Sequence, residues 1–285
     1  MAASPLVTAD WLQTNLEAPD IRVVDATWFA PFTNPSRTGH EAYMDAHIPG
    51  AVFFDIDTVA DAEAPYPHTF PPAHVFSARV RKLGLGDGNR IVVYDQNNFF
   101  AGARVWWMFR TLGHDDIFVL DGGLDAWRVA GSETEDLPPV AVERHFTPRV
   151  RSDLLKTTEQ MARLVEAGTH QIIDARPPGR FEGSVPEPRE GLPSGHMPNS
   201  INVPGGALIT EDGRMKSPEA LSTVFADAGV DPMAPTVTSC GSGVTAALAA
   251  LALAQLGNDL VAVYHGSWAE WAARGDLPIK TGTAP

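Results

Sequence analysis

The same pattern of residues occurs twice along the chain, and this internal repeat restricts the fold more than any other feature. In the first two matching pairs of segments the spacing is identical, because Asp25 and Asp174 are 149 residues apart and so are His47 and His196. A repeat of this length indicates a duplicated domain. The matching segments are residues 21–26 with 171–175, 46–52 with 195–201, 92–95 with 237–240, and 120–127 with 264–271.

Each copy is predicted to alternate helices and strands, in the order helix, strand, short helix, strand, helix, strand, helix, strand, helix. The strands are near-continuous apolar runs, as in residues 90–94. Strands that are apolar on both faces are typical of a parallel sheet covered by helices. The sequence therefore predicts an α/β protein with two tandem domains, each a mainly parallel sheet flanked by helices.

A proline-containing stretch with little periodicity separates the two copies. It includes Pro138, Pro139 and Pro148, and such composition is typical of a linker. A length of 285 residues suits two domains of ordinary size. We therefore predict a first domain at residues 1–140, a linker at 141–155 and a second domain at 156–285.

The charge of the chain excludes two classes of partner. Lys and Arg number 21 against 35 Asp and Glu, which gives a formal net charge of −14. Because a strongly acidic protein is repelled by polyanions, we expect no nucleic acid and no anionic membrane surface as partners. An anionic substrate would have to be held by local arginines. Hydrophobic residues make up 44%, which is enough for two packed cores.

The single cysteine and the length of the apolar runs indicate in which cellular compartment the protein is expected. Cys240 is the only cysteine, which excludes an intramolecular disulfide and fits a reducing environment. The nine histidines are scattered without the spacing of a metal site, so no metal is expected. The longest apolar run, residues 244–254, is too short to span a bilayer, and residues 1–6 lack the blocks of a signal peptide. We expect a cytoplasmic protein.

Cys240 lies where an apolar strand-like run meets a glycine-containing loop and an alanine-rich helix. Gly241 and Gly243 allow this loop to curl and to direct successive N–H groups at one point. Partial positive charge from these amides and from the helix N-terminus would favour the thiolate, which is the reactive form. The pattern therefore predicts a nucleophile; the alternative is a buried cysteine that acts as a small hydrophobe.

The counterpart of Cys240 in the first copy is Asp95, which begins a loop one residue longer. Ligands of open α/β sheets bind beyond the carboxyl ends of the strands, and both residues end such a strand. A carboxylate cannot perform thiol chemistry. We therefore expect the first domain to be non-catalytic and to complete the site of the second, catalytic domain.

The repeat, with Asp-Ala early, His-x-Pro next and a cysteine loop only in the second copy, resembles the rhodanese (sulfurtransferase) superfamily over nearly the whole chain. Residues 240–245, Cys-Gly-Ser-Gly-Val-Thr, resemble the loop of 3-mercaptopyruvate sulfurtransferases. The resemblance implies that Cys240 takes sulfur from 3-mercaptopyruvate as a persulfide, with Gly241, Gly243, Val244 and Thr245 binding the substrate. Thiosulfate-using relatives carry bulky basic residues after the cysteine, which this loop lacks.

The resemblance also implies roles for residues outside the loop. Arg180 and Arg189 match the arginines that hold the substrate carboxylate, and residues 176–189 are expected to form an exposed, irregular loop. The alternative is that both are solvated surface charges paired with neighbouring glutamates. Ser242, His68 and Asp57 match a proton relay, which would place the site between the domains; the alternatives are a helix cap for Asp57 and a surface position for His68.

Further expectations concern partners and competing functions. No cofactor is required, and the acceptor could be cyanide or a thiol such as thioredoxin or a small thiol. Thiosulfate sulfurtransfer on the same framework and a non-catalytic partner-binding module are the alternatives. A phosphatase loop would need an arginine at position 246, which is Ala246. His47 and His196 recur in both copies and are interpreted as structural, and the role of His265 is left open between tuning the thiolate and sequence drift.

Overall fold

The computed structural model describes residues 4–33 and 35–283, so the first three residues of the amino-terminal segment discussed above lie outside the described part. Helices and strands alternate in both halves of the chain. The first half contains β1 (Leu6–Val7), α1 (Ala9–Asn15), β2 (Ile21–Asp25), α2 (Gly39–Asp45), β3 (Val52–Phe53), α3 (Ile56–Val59), α4 (Ala73–Lys82), β4 (Arg90–Tyr94), α5 (Gly102–Thr111), β5 (Ile117–Leu120) and α6 (Gly123–Val129).

The second half repeats this order. It contains β6 (Leu155–Lys156), α7 (Thr158–Ala167), β7 (Gln171–Asp174), α8 (Pro178–Glu182), β8 (Ser200–Asn202), α9 (Pro218–Asp227), β9 (Thr236–Ser239), α10 (Ala246–Gln255), β10 (Ala262–Tyr264) and α11 (Ser267–Ala273). Short 3₁₀ helices lie at Pro31–Thr33 and Gly205–Leu208.

Each half forms one five-stranded sheet, and the two sheets have the same topology. The strand orders are β1-β5-β4-β2-β3 and β6-β10-β9-β7-β8, and every pair of neighbouring strands is parallel. The predicted fold class is therefore confirmed. In both sheets the central strand is buried. The strand β4 is apolar at residues 91–94, as burial on both faces favours, whereas β9 is buried although Val237 is its only apolar residue.

The sequence-based order of elements missed one strand in each half. β1 and β6 are edge strands of two residues each, and they pair with β5 and β10. Two residues carry no periodicity, so these strands exist only because the folded chain brings them beside a longer strand. Leu155, assigned to the end of the linker, is the first residue of β6.

Local sequence fixes where several helices begin. The helix α7 starts with a capping box, in which the Thr157 hydroxyl accepts from the N–H of Gln160 and the Gln160 side chain accepts from the N–H of Thr157. Thr38 and Glu41 form the same arrangement at the start of α2. In the repeat α7 corresponds to α1, at which the hydroxyl of Thr8 accepts from a backbone N–H, so these two equivalent helices share a threonine N-cap.

The two halves share a core around α5 and α10, which pack against each other. Every residue of α10 from Ala246 to Ala254 is buried, as an all-apolar helix requires. Among the described residues, no helix has both the length and the apolar character that crossing a membrane requires. This shared core fixes the carboxyl ends of the two sheets relative to each other.

Candidate active site

Cys240 follows β9 directly, and only 3% of the residue is exposed, at the wall of a cavity. The N–H of Cys240 donates to the hydroxyl of Ser267 (3.1 Å). The carbonyls of Cys240 and Gly241 accept from the N–H groups of Trp268 and Ala269, at 3.0 and 2.9 Å. The loop is therefore anchored to the start of α11 through its carbonyl groups.

The N–H groups of the loop are left free by this anchoring. No oxygen or nitrogen atom of residues 4–33 and 35–283 accepts a hydrogen bond from the amides of residues 241–245. Gly243 has a φ of +79°, a conformation that disfavours any residue with a Cβ. At Gly241 a Cβ would lie only 3.0 Å from Nη2 of Arg180, so glycine permits the close approach of that arginine. The arrangement leaves main-chain donors available to an anion.

In the first domain, the loop equivalent to the cysteine loop surrounds a negatively charged side chain of the protein itself. The carboxylate of Asp95 accepts hydrogen bonds of 2.7–3.1 Å from the N–H groups of Asn97, Phe99, Ala101 and Gly102. Burial raises the pKa of Asp95, and these amides act against the increase. The loop that follows β4, and its counterpart after β9, are thus shaped to surround a negative group. In the first domain that group is the carboxylate of Asp95.

A cavity of about 600 Å³ opens above the cysteine, between the two domains. It is lined by side chains from both halves, which fits the expectation that the first domain completes the site. The residues that matter here are Trp28, Phe32, Asn97, Phe100, Arg180, Arg189, Cys240, Gly241, Ser242, Val244 and Thr245.

The structure brings Ser242, His68 and Asp57 into one hydrogen-bonded row. Nδ1 of His68 lies 2.9 Å from the Ser242 hydroxyl, and Nε2 lies 2.8 Å from Oδ1 of Asp57. His68 is buried, which excludes a surface position for this histidine. Its φ of +57° lies in the left-handed region, which is uncommon for a residue other than glycine. The cap of α3 is Asp55, which excludes that alternative for Asp57.

The charges of this row follow from burial and hydrogen bonding. Burial lowers the pKa of His68, and the hydrogen bond with Asp57 opposes this effect. Burial acts to raise the pKa of Asp57, but the hydrogen bonds from His68 and Trp28 outweigh it and hold the pKa below its ordinary value. Asp57 is therefore an acceptor at neutral pH, so Nε2 of His68 carries the proton and Nδ1 can accept one from Ser242.

Sequence reasoning did not identify Trp28 as part of this row. Its indole N–H donates to Oδ2 of Asp57 at 2.6 Å, and its ring meets the His68 ring edge-on at 4.9 Å. Its other face stacks on Phe100, and its carbonyl accepts from the side chain of Asn97. Asn97 and Phe100 of the loop after β4 thereby hold Trp28 against His68 and Asp57, a role that no local pattern around Trp28 indicates.

The segment 176–189 differs from the exposed, irregular loop that was expected. It contains the short helix α8, and the side chains of Arg176 and Glu187 are about 99% buried. Arg180 does meet the cavity, but its partner is Glu187 at 3.1 Å from Nε rather than an adjacent surface glutamate. Asp174, Arg176 and Glu187 form a chain of buried ion pairs that ends at Arg180. Proline content alone did not indicate this burial.

Arg189 is the second arginine of the cavity, and no carboxylate of the described residues forms an ion pair with it. Its guanidinium lies 5.5 Å from the centre of the Phe32 ring. Burial lowers the pKa of Arg189, and the negative charge of the Cys240 thiolate acts in the opposite direction. Arg189 is therefore placed to meet the charge of an incoming anion.

The other histidines are placed outside the relay. His47 and His196 are fully buried, and each donates from Nδ1 to a backbone carbonyl of the preceding helix. His265 accepts at Nδ1 from the N–H of Phe70 (3.3 Å), so it contacts the segment that carries His68. Burial and the nearby Arg104 lower the pKa of His265 to about 4, which keeps it neutral.

A parallel α/β domain that occurs twice, with a cysteine loop beyond the second sheet, defines the tandem rhodanese class. The model of the rhodanese-like domain matches residues 8–130 and 157–274. The chain therefore belongs to the rhodanese family.

Named relatives within this family cover nearly the full chain. The 3-mercaptopyruvate sulfurtransferase of Escherichia coli is 39% identical over 98% of this chain and 99% of its own length. The thiosulfate sulfurtransferase of Rattus norvegicus is 40% identical, over 94% and 92%. The crystal structure of SseA from Escherichia coli, described among 3-mercaptopyruvate sulfotransferases, superimposes with a TM-score of 0.85 at 36% identity, covering 93% of this chain and 99% of SseA.

Proposed function

We propose that this protein is a 3-mercaptopyruvate sulfurtransferase that carries sulfur as a persulfide on Cys240. The observation that carries the proposal is the convergence of the lone thiol, the free loop amides, Ser242 and two arginines on one cavity. The named relatives act as the second support, since several of them are 3-mercaptopyruvate sulfurtransferases.

The first half-reaction needs no proton from outside the complex. The Cys240 thiolate attacks the sulfur of 3-mercaptopyruvate, the carbon–sulfur bond breaks, and its electron pair forms the enolate of pyruvate. The thiol proton of the substrate passes through Ser242 and His68 to the methylene carbon of the enolate. Pyruvate and a deprotonated Cys240 persulfide result, and the loop amides stabilise the negative charge that develops near the sulfur.

The substrate carboxylate is held by Arg180 and Arg189, which both approach the cysteine loop at Gly241. Planar guanidinium groups bind a carboxylate through paired hydrogen bonds. Glu187 holds Arg180 in place through its ion pair, and Arg189, which forms no ion pair with the carboxylates of residues 4–33 and 35–283, supplies a second positive charge. Gly241, Val244 and Thr245 line the cavity and form the floor on which the sulfur end of the substrate rests. Gly243 supports that floor through the turn of the loop.

Replacement of Arg189 by glutamine is expected to weaken substrate binding more than chemistry. A charge-assisted hydrogen bond contributes about 1.5–3 kcal/mol, which corresponds to about 10- to 100-fold in KM. Steady-state kinetics with 3-mercaptopyruvate measure this effect. Arg163→Gln, at an exposed position of α7, is the matched control and should leave KM unchanged. A normal KM in Arg189→Gln would contradict the assignment.

The second half-reaction transfers the outer sulfur to a thiol or to cyanide. Thioredoxin and small thiols are the acceptors that we propose, since a thiolate can attack the outer sulfur and regenerate the Cys240 thiolate. We also propose a cytoplasmic location, on the basis of the single free cysteine and its need for reducing conditions. A relative from Arabidopsis thaliana is named as mitochondrial.

Thiosulfate sulfurtransfer is the second candidate, because a rat relative of comparable identity bears that name. The residues after the cysteine, Gly241 and Ser242, provide no cation for a doubly charged inorganic anion. We therefore expect turnover with 3-mercaptopyruvate to exceed turnover with thiosulfate when cyanide is the acceptor.

Intact mass spectrometry provides the direct test. Incubation with 3-mercaptopyruvate should add one sulfur atom to the protein and release one pyruvate for each sulfur added. Because Cys240 is the only cysteine, the site of addition is unambiguous. Pyruvate release without a mass increase, or faster sulfur loading from thiosulfate, would contradict the proposal.

A further inference from the structure

Arg104 belongs to the first domain but contacts the catalytic loop of the second. It lies on α5, and only 1% of the residue is exposed. Its Nη1 donates to the carbonyl of Gly243 at 3.1 Å, and its Nη2 donates to the carbonyl of His68 at 2.7 Å. One side chain thus joins the backbone of the cysteine loop to the backbone of the relay histidine.

Trp107 and Gly243 accommodate the guanidinium of Arg104 beside the two carbonyls. Its central carbon lies 4.5 Å from the centre of the Trp107 ring. A Cβ at Gly243 would lie 3.1 Å from Nη1 of Arg104 and 2.7 Å from the carbonyl oxygen of His265. Glycine at position 243 therefore serves the approach of Arg104 as well as the turn of the loop.

The charge of Arg104 has no carboxylate to balance it. In the part of the chain that the structure describes, no carboxylate forms an ion pair with this side chain. A buried cation without a counter-charge is destabilising. Burial lowers the pKa of Arg104 to about 9, and a negatively charged Cys240 sulfur opposes that decrease. Arg104 is thus a buried cation in contact with the loop that carries Cys240.

We infer that Arg104 is a positioning residue that holds the cysteine loop against the relay segment and whose charge favours the thiolate of Cys240. The inference deepens the proposed function, since it rests on Cys240 as the reactive group. It does not depend on the identity of the sulfur donor. A residue of α5 in the first domain thereby gains a role in the site of the second domain.

Other charged and titratable groups also face Cys240, and they limit the effect of any single change. Arg180 and Arg189 approach the loop from the segment after β7. His68 reaches it through Ser242, and His265 lies beyond β10 on the side of Arg104. Because the two other arginines remain, the loss of Arg104 should weaken the thiolate without abolishing it.

The test is the rate at which iodoacetamide alkylates Cys240 as a function of pH. An opposite charge close to a titratable group shifts its titration by about 1–3 units. In Arg104→Met the alkylation midpoint should therefore rise by about 1 pH unit or more, with alkylation about tenfold slower below the midpoint. Arg104→Lys should restore the midpoint but not sulfur transfer, because an ammonium cannot span both carbonyls as the guanidinium does.

A second pair of variants leaves Arg104 in place. His265→Asp puts a carboxylate beside the guanidinium, and His265→Asn is the matched neutral control, whose side-chain oxygen can still accept from the N–H of Phe70. We expect the alkylation midpoint to rise in His265→Asp and to stay at the wild-type value in His265→Asn. This pair of variants tests the effect of the Arg104 charge on Cys240 even if Arg104→Met does not fold.

The result that would overturn the inference is an unchanged alkylation midpoint in folded Arg104→Met, or equal midpoints in His265→Asp and His265→Asn. A uniform loss of rate at every pH would show that Arg104 is only structural, and would overturn the charge argument too. These outcomes are distinct from failure of the proposed function. If 3-mercaptopyruvate loaded no sulfur while the midpoints shifted as expected, the function would fail and the role of Arg104 would stand.

Discussion

Cys240→Ser is expected to abolish sulfur transfer, leaving only the background rate of the uncatalysed reaction. The hydroxyl of serine is not ionised at neutral pH, so no persulfide can form. Because Cys240 is the only cysteine, intact mass spectrometry should find no sulfur on the variant after incubation with 3-mercaptopyruvate. Pyruvate release, measured in parallel, should fall to the level of the buffer.

The same variant distinguishes loss of chemistry from loss of fold. Serine is close in size to cysteine, and the N–H of residue 240 can still donate to Ser267. The circular dichroism spectrum should therefore match that of the wild type, and the variant should still bind 3-mercaptopyruvate through Arg180 and Arg189. Residual turnover well above background in the folded variant would remove Cys240 from the mechanism.

His68→Gln is expected to lower the rate of pyruvate release by about 10²- to 10⁴-fold, the usual contribution of a general acid–base group. Glutamine can still contact Ser242 and Asp57, but it cannot take up and return a proton at neutral pH. Stopped-flow measurement of pyruvate formation in a single turnover isolates this step. His74→Gln, at an exposed position of α4, is the matched control and should keep the wild-type rate.

The pH dependence of this step follows from the direction of the pKa of His68. Burial lowers that pKa below 6.5, so His68 remains neutral as pH falls from 8 to 6.5 and is protonated only below that range. The His68-dependent decrease in rate should therefore lie below pH 6.5. Asp57→Asn removes the interactions that raise the pKa of His68, so the decrease should move to still lower pH. A shift to higher pH in Asp57→Asn would contradict the relay.

The repeat and the apolar strands were sufficient to predict the fold class. A parallel strand covered on both faces is typically apolar, and residues 91–94 show that pattern in the sequence itself. The strand β9 is equally buried although Val237 is its only apolar residue. The edge strands β1 and β6 were missed because two residues carry no periodic signal. The loop of Cys240 was recognisable for a similar local reason, since the strand, the glycines and the helix are adjacent in the chain.

The relay could be proposed from sequence only through resemblance. Ser242 and His68 are 174 residues apart, and their hydrogen bond depends on how the two domains pack. Glu187 was missed as the partner of Arg180, because a glutamate in a proline-rich segment gives no sign of burial. Trp28 was missed as well, since its contact with Asp57 depends on the loop of the first domain.

The sequence by itself determined two parallel α/β domains and a single thiol in a glycine loop, because both follow from residues that are neighbours in the chain. Only the tertiary structure decided which charges surround that thiol. Arg104 reaches the loop carbonyl of Gly243 from 139 residues away, a contact that depends on the packing of α5 against α10. Hydrophobic periodicity fixes elements one at a time, whereas the electrostatics of a site depend on all the elements that meet there.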